Sequence, residues 1–220
     1  MTIRVSPRAR RLRLRVDPRT REVLLTVPKR TSARKALVWA AGHRQWLEAT
    51  LAAMPERAAI APGAILPLFG RPHRIEWDPG KTRRVETGDA SIRLGGPEES
   101  LEPRLLRWLR AEARALLERE TRELCAAAGL HVERVSVGDP RSRWGSCSSS
   151  GSIRYSWRLI LAPEFVRRAT VAHEVAHLVH MDHSPRFHAL VERLLGSDPK
   201  LARTWLRREG AALHRIGAQG

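Results

Sequence analysis

Residues 163–181 restrict the fold of this chain more than any other stretch. From Pro163 through Met181 no glycine or second proline intervenes. Val171, Val175 and Leu178, with Ala172 and Val179 beside them, recur at helical spacing. A proline suits the first turn of a helix, where its missing N–H would have had no partner, and Glu164 behind it suits the positive end of the helix dipole. The expectation is a helix to about Met181 with one face buried. Val166, Ala169, Thr170, His173 and His177 fall on a neighbouring face, which can look into a cleft.

That helical phase gives His173-Glu174-Val175-Ala176-His177 its chemical meaning. Imidazoles at i and i+4 project from one face and can grip a single cation. Glu174 cannot reach the same coordination position, but it can stand beside a water on the metal and take its proton. Catalytic zinc sites usually have three protein ligands and one open position. His183 is the expected third ligand. Ser184-Pro185 reads as a helix cap followed by a first-turn proline, so His183 lies at the junction of two helices and can swing toward the ion. His180 is a rival, but a third ligand on the same straight helix has difficulty completing a tetrahedron. His188 and Glu192, on the following helix, are weaker rivals. The expected chemistry is that of a zinc-dependent hydrolase with one Zn²⁺ per chain, His173, His177 and His183 as ligands and Glu174 as general base. Tyr155, His180, Arg186 and His188 are candidates for a second oxyanion donor.

Arg143-Trp144-Gly145-Ser146-Cys147, Ile153, Trp157-Arg158-Leu159-Ile160-Leu161-Ala162-Pro163 and HEVAHLVHMDHSPRF together resemble the YgjP-like metallopeptidases, cousins of the SprT-like and WLM zinc peptidases. A weaker likeness extends upstream to a basic β segment and to Gly70-Arg71-Pro72-His73. The resemblance implies a zinc peptidase acting on a protein or peptide, with ligands at His173, His177 and His183 and the catalytic glutamate at Glu174. His188 departs from it, because relatives commonly carry tryptophan after the position of Phe187.

The expected fold class is α+β, with a strand-rich N-terminal subdomain followed by a minimal zincin-like metallopeptidase domain built on the HExxH helix. Leu12, Leu14 and Val16 alternate with arginines as in a half-buried strand, Asp17–Thr20 reads as a turn, and Val23, Leu25 and Val27 form a partner strand. Thr31-Ser32 caps one helix to about Met54, and 55–62 reads as a connection. A hairpin is expected over Ile65–Phe69 and His73–Trp77, with short strands near Arg84–Thr87 and Ile92–Leu94. Strand patterning stops at Gly95-Gly96-Pro97, which divides a basic unit of residues 1–96 from a metallopeptidase unit of 97–220. A helix from Leu101 to Ala128, strands over Val132–Val137 and Ile153–Ile160, and a final basic helix around Leu201–Ile216 complete the pattern. The segment Trp144–Tyr155 is a candidate edge against which an extended substrate could align through backbone hydrogen bonds.

Charge supplies a competing function. The net charge is +17, and residues 1–35 alone hold twelve Arg or Lys against two acids. Arginines clustered on one strand face could bind phosphates, so nucleic acid is a possible partner through the basic N-terminal segment. A nucleic-acid-binding protein with a structural metal and a metal-dependent hydrolase of a non-peptide bond are the alternatives to a peptidase. Cys125 and Cys147 are too few and too far apart for a disulfide framework, which suggests a cytoplasmic protein. No apolar run approaches the roughly eighteen residues of a membrane span, and the N-terminal arginines precede no apolar signal core. Oligomeric state is not encoded in any of these patterns.

Overall fold

The computed structural model describes residues 1–17, 20–54, 59–140 and 142–217. The Asp17–Thr20 turn and the 55–62 connection fall partly on Pro18, Arg19 and 55–58, outside the described residues. The architecture is α+β, with small sheets and helices in alternation. β2 (Arg13–Val16) pairs antiparallel with β3 (Val23–Pro28), and β1 (Thr2–Ser6) adds to the other side of β3 in parallel. Leu25 and Val27 of β3 pack on Ala36 and Ala40 of α1 (Ala33–Ala41), forming a small core of their own. Ser32 caps α1 by accepting the Lys35 N–H at 3.3 Å.

The single helix expected to Met54 is in fact two, with α2 spanning Arg44–Ala52. The break follows from His43. Its imidazole Nδ1 bonds the Trp39 carbonyl at 2.8 Å, the acceptor its own amide would have met in a continued helix, and the amide turns to Ala40 instead. Gly42, a poor helix former, sits at the bend.

The second sheet has the order β4 (Ile65–Leu68), β5 (Arg71–Asp78), β7 (Ser91–Gly95) and β6 (Glu86–Gly88). β4 and β5 form the expected hairpin. Its tip matters for the site. The Phe69 N–H donates to Ile160 O at 2.8 Å and the Gly70 N–H to Leu161 O at 3.2 Å, at the entry to the HExxH helix. Gly70 has φ of +76°, and a Cβ there would lie 2.6 Å from Pro163 Cα. Only glycine permits both the backbone angle and the approach.

α3 (Leu101–Ala127) buries Leu105, Leu109, Ala113 and Leu117, and Gly129 ends it with φ of +66°. In the third sheet β8 (Arg134–Gly138) is parallel to β10 (Ser152–Ser156), and β9 (Gly145–Cys147) is antiparallel to β10 on the other side. The strand expected to Ile160 stops at Ser156. A 3-10 turn over Trp157–Leu161 replaces its end, started by Ser156 Oγ accepting the Arg158 N–H at 3.4 Å. Arg158 is fully buried in that turn. Its guanidinium donates to Ile216 O, pairs with Asp139 and lies 4.5 Å from the Trp157 ring centroid.

α4 (Glu164–Ala176), α5 (Pro185–Leu195) and α6 (Lys200–Arg215) follow. α4 is tied to α3 by a buried ion pair in which Arg167 Nε and Nη2 donate to Glu120 at 2.9–3.1 Å. The main apolar core runs through α3, α4 and the third sheet and takes in Leu66, Leu68, Ile75, Ile92 and Leu94 from the second sheet. Packing is therefore continuous across residue 96. Among the described residues no helix is long and apolar enough to cross a membrane.

Candidate metal centre

α4 ends at Ala176, about a turn before the expected Met181, and this early ending shapes the site. The Leu178 and Val179 amides donate to carbonyls three residues back, tightening the last turn. That turn points the His180 carbonyl at His177, whose Nδ1 bonds it at 2.9 Å. With Nδ1–H donating there, Nε2 keeps its lone pair and a fixed direction. His180 thus enters the site through its backbone rather than as a ring ligand. The chain then reverses, and Ser184 caps α5 by accepting the Phe187 N–H at 3.5 Å.

The reversal brings His183 over the helix. His183 Nε2 lies 3.3 Å from His173 Nε2, and the ligand atoms of His173, His177 and His183 all fall within 4.8 Å of one another. Two imidazole nitrogens held about 2.0–2.1 Å from one tetrahedral ion stand about 3.3 Å apart, so the donor set fits a zinc-sized cation. Among the described residues these three form the one group of three or more His, Cys, Asp or Glu donors that converge in this way. Glu192 takes no part.

Phe187 forms the floor. It is fully buried, stacks on His177 at 4.4 Å between centroids, and meets His173 and His183 edge-on at 4.9 and 4.8 Å. Burial, the neighbouring imidazoles and Arg203 push His173 down to about 4, so its ring is neutral and able to coordinate at neutral pH. Burial pushes Glu174 up to about 7, with Arg143 pulling the other way. A carboxyl poised there is suited to exchange protons near neutral pH.

Glu174 reaches this position because residue 145 has no side chain. A Cβ at Gly145 would fall within 2.6 Å of the Glu174 Cγ and Cδ. β9 is an edge strand, and Trp144 and Gly145 line a cavity of about 270 Å³ together with His173, Glu174 and His188. Trp144 is also clamped from behind. Its ring lies 4.7 Å from that of His214, and a Cβ on Gly210 would come within 2.9 Å of it.

The other candidates separate cleanly. Tyr155 is fully buried, and its hydroxyl lies 3.0 Å from Thr121 Oγ1, whose own proton goes to Leu117 O at 2.6 Å. The phenol therefore donates into the core and does not face the cleft. Arg186 and His188 are exposed, and the His188 ring stands 6.4 Å from that of His183. The Cys147 thiol is pushed up to about 11 by burial, Glu174 and Cys125, which makes it a poor nucleophile. Sequence reasoning missed Phe187, which looks like an ordinary core residue at helical spacing, and the role of Gly145 under Glu174. The WGS string that marks the latter has no periodicity to interpret.

No curated protein and no solved structure matches the chain. A model of the YgjP-like metallopeptidase domain does match, over residues 10–209, and the chain belongs to that family.

Proposed function

We propose that the protein is a zinc-dependent peptidase in which His173, His177 and His183 hold one Zn²⁺ and Glu174 is the general base. The observation that carries this reading is the convergence of three imidazole nitrogens beside a buried carboxyl in a cavity bordered by an edge strand. When bound, zinc supplies a Lewis acid that polarises a carbonyl and lowers the pKa of a water. The residues of the chain do the rest. The unpaired edge of β9 offers backbone groups to an extended peptide and gives affinity without strong sequence preference. Glu174 takes the proton of the attacking water and returns it to the leaving nitrogen. The His180 carbonyl keeps His177 in the tautomer that coordinates, and Phe187 excludes water from beneath the imidazoles. His188, at the cavity wall, is the candidate that remains for a second donor to the oxyanion.

Three imidazole donors suit zinc better than magnesium, calcium or manganese, which prefer oxygen ligands, and zinc is the abundant metal of the imidazole-binding kind. A purely structural site would usually close all four positions with protein groups, commonly including cysteine. Among the described residues no fourth donor joins the cluster.

The test is Glu174→Gln in the full chain, assayed on casein-type proteins, peptides, esters and nucleic acids. Zinc content should match that of the parent protein, while peptide-bond hydrolysis should fall by about a hundredfold or more. Unchanged turnover would remove Glu174 from the chemistry, and preferential hydrolysis of esters or nucleic acid would replace the peptidase reading.

A further inference from the structure

Resting on the peptidase reading, we propose that the cleft selects substrates with a carboxylate beside the scissile bond and further acids beyond it, held by Arg143 and Arg203 and then by Lys200 and Arg207.

The cavity next to His173 and Glu174 has apolar walls from Trp144, Val191 and Leu206. Arg143 enters it from the loop before β9 and Arg203 from α6. Both arginines are exposed, and among the described residues neither has a carboxylate partner. A second depression of about 610 Å³ continues outward, shares Trp144, Arg203 and Leu206 with the cavity, and adds Lys200 and Arg207. Positions 200, 203 and 207 lie along one face of α6, so the cations form a track leading away from the imidazoles. Arg207 donates to the neutral Thr204 hydroxyl at 3.1 Å, which leaves its charge unneutralised by that contact.

An arginine-rich chain lines many surfaces with cations, so the distribution of acids decides the matter. Three other depressions interleave both signs. One sets Glu76, Asp78 and Glu86 against Arg74, Lys81 and Arg93, a second sets Glu86 and Glu112 against Arg84 and Arg93, and a third sets Glu112 and Glu164 against Arg71, Arg119 and Arg167. Along the cleft and its extension the acid present is Glu174, already assigned as the base. Guanidinium groups recognise carboxylates through paired charge-assisted hydrogen bonds, and apolar walls strengthen such pairs by excluding water. The carboxylate can come from an Asp or Glu side chain or from the C-terminus of a peptide.

The experiment uses zinc-loaded full-length protein for hydrolysis and the Glu174→Gln variant for binding. Fluorescent peptides of one parent sequence carry Asp and Glu, or Asn and Gln, on each side of the cleaved bond. A second pair differs only in a free or amidated C-terminus. Carboxylate-bearing peptides should bind Glu174→Gln about tenfold more tightly and be cleaved about tenfold more efficiently, and the preference should shrink at about 0.5 M salt. The pair that shows the effect identifies the source of the carboxylate. Arg203→Glu with Arg207→Glu should erase or reverse the preference at unchanged zinc content and circular dichroism, and Arg203→Gln should weaken it. Equal affinity for acidic and neutral peptides, absence of peptide binding, or a preference that survives the charge reversal would overturn the proposal. So would displacement of all peptides alike by a single-stranded oligonucleotide. Acid-selective binding without hydrolysis would sink the peptidase reading and reduce this inference to a carboxylate-binding cleft, whereas hydrolysis without acid preference would keep the peptidase reading and overturn the inference.

Discussion

A methyl group added at Gly145 has no space, because its carbon would fall 2.6 Å from the Glu174 Cγ and Cδ. Gly145→Ala should therefore displace the carboxylate while leaving His173, His177 and His183 in place. Zinc affinity should stay near that of the parent, and kcat should fall about a hundredfold, the usual penalty for moving a reacting group by about an ångström. Zinc titration beside a kinetic assay checks both halves. Burial of Glu174 makes a second prediction, for the metal-free protein. Its folded-state pKa of about 7 lies above the ordinary 4.5, so the folded form holds this proton more tightly than the unfolded chain does. Below pH 4.5 both states are protonated and burial carries no ionisation penalty. Stability is lost as pH rises from 4.5 through about 7, and above that the folded protein bears the full cost of a buried charge. Glu174→Gln removes that cost. The chelated variant should be more stable than the chelated parent at pH 8, by about 3 kcal/mol on the order of the pKa displacement, and equal to it near pH 4. Urea titrations at the two pH values would show whether the gap opens in that direction.

At the scale of elements, the N-terminal part of the site helix is held by contacts from distant parts of the chain. The β4–β5 hairpin tip bonds the turn before Pro163, and Arg167 joins the first turn of α4 to Glu120 on α3. Arg167→Met should cost about 3–5 kcal/mol, because it strands the Glu120 carboxylate in the core. Pairing it with Glu120→Leu should recover most of that loss, since the uncompensated charge is then gone. Denaturant midpoints of the two variants separate this account from one in which the arginine merely fills space. These elements differ in how far they could be read from sequence. The HEVAH face, the Ser184-Pro185 restart and the Leu101–Ala127 helix have strong local patterns, and the structure forms them. The helix break at His43 and the early end of α4 both depend on an imidazole taking a backbone carbonyl, a choice that hydrophobic periodicity does not record. The turn at Trp157–Leu161 looks like a strand in sequence because its residues are apolar. It is a turn because Arg158 finds Asp139, just after β8, and Ile216, at the end of α6.

At the scale of the whole molecule, most of the stretch matched by the family, from the second sheet through α3, the third sheet and α4 into α6, shares one apolar core. His183 was legible as a ligand candidate because it sits at a helix junction, but its position over His173 depends on the chain reversal as a unit. The cationic cleft was not legible, because Arg143, Lys200, Arg203 and Arg207 are scattered in a chain with forty basic residues and only folding brings them to one track. In the proposed function this assembly holds zinc with three imidazoles and leaves one coordination position open for chemistry. X-ray absorption on stoichiometrically zinc-loaded protein tests it most directly. Three nitrogen neighbours at about 2.0–2.1 Å and one oxygen are expected, with one nitrogen lost in His183→Ala. A fourth protein ligand, a sulfur neighbour at about 2.3 Å, or a spectrum unchanged by His183→Ala would contradict the proposed function.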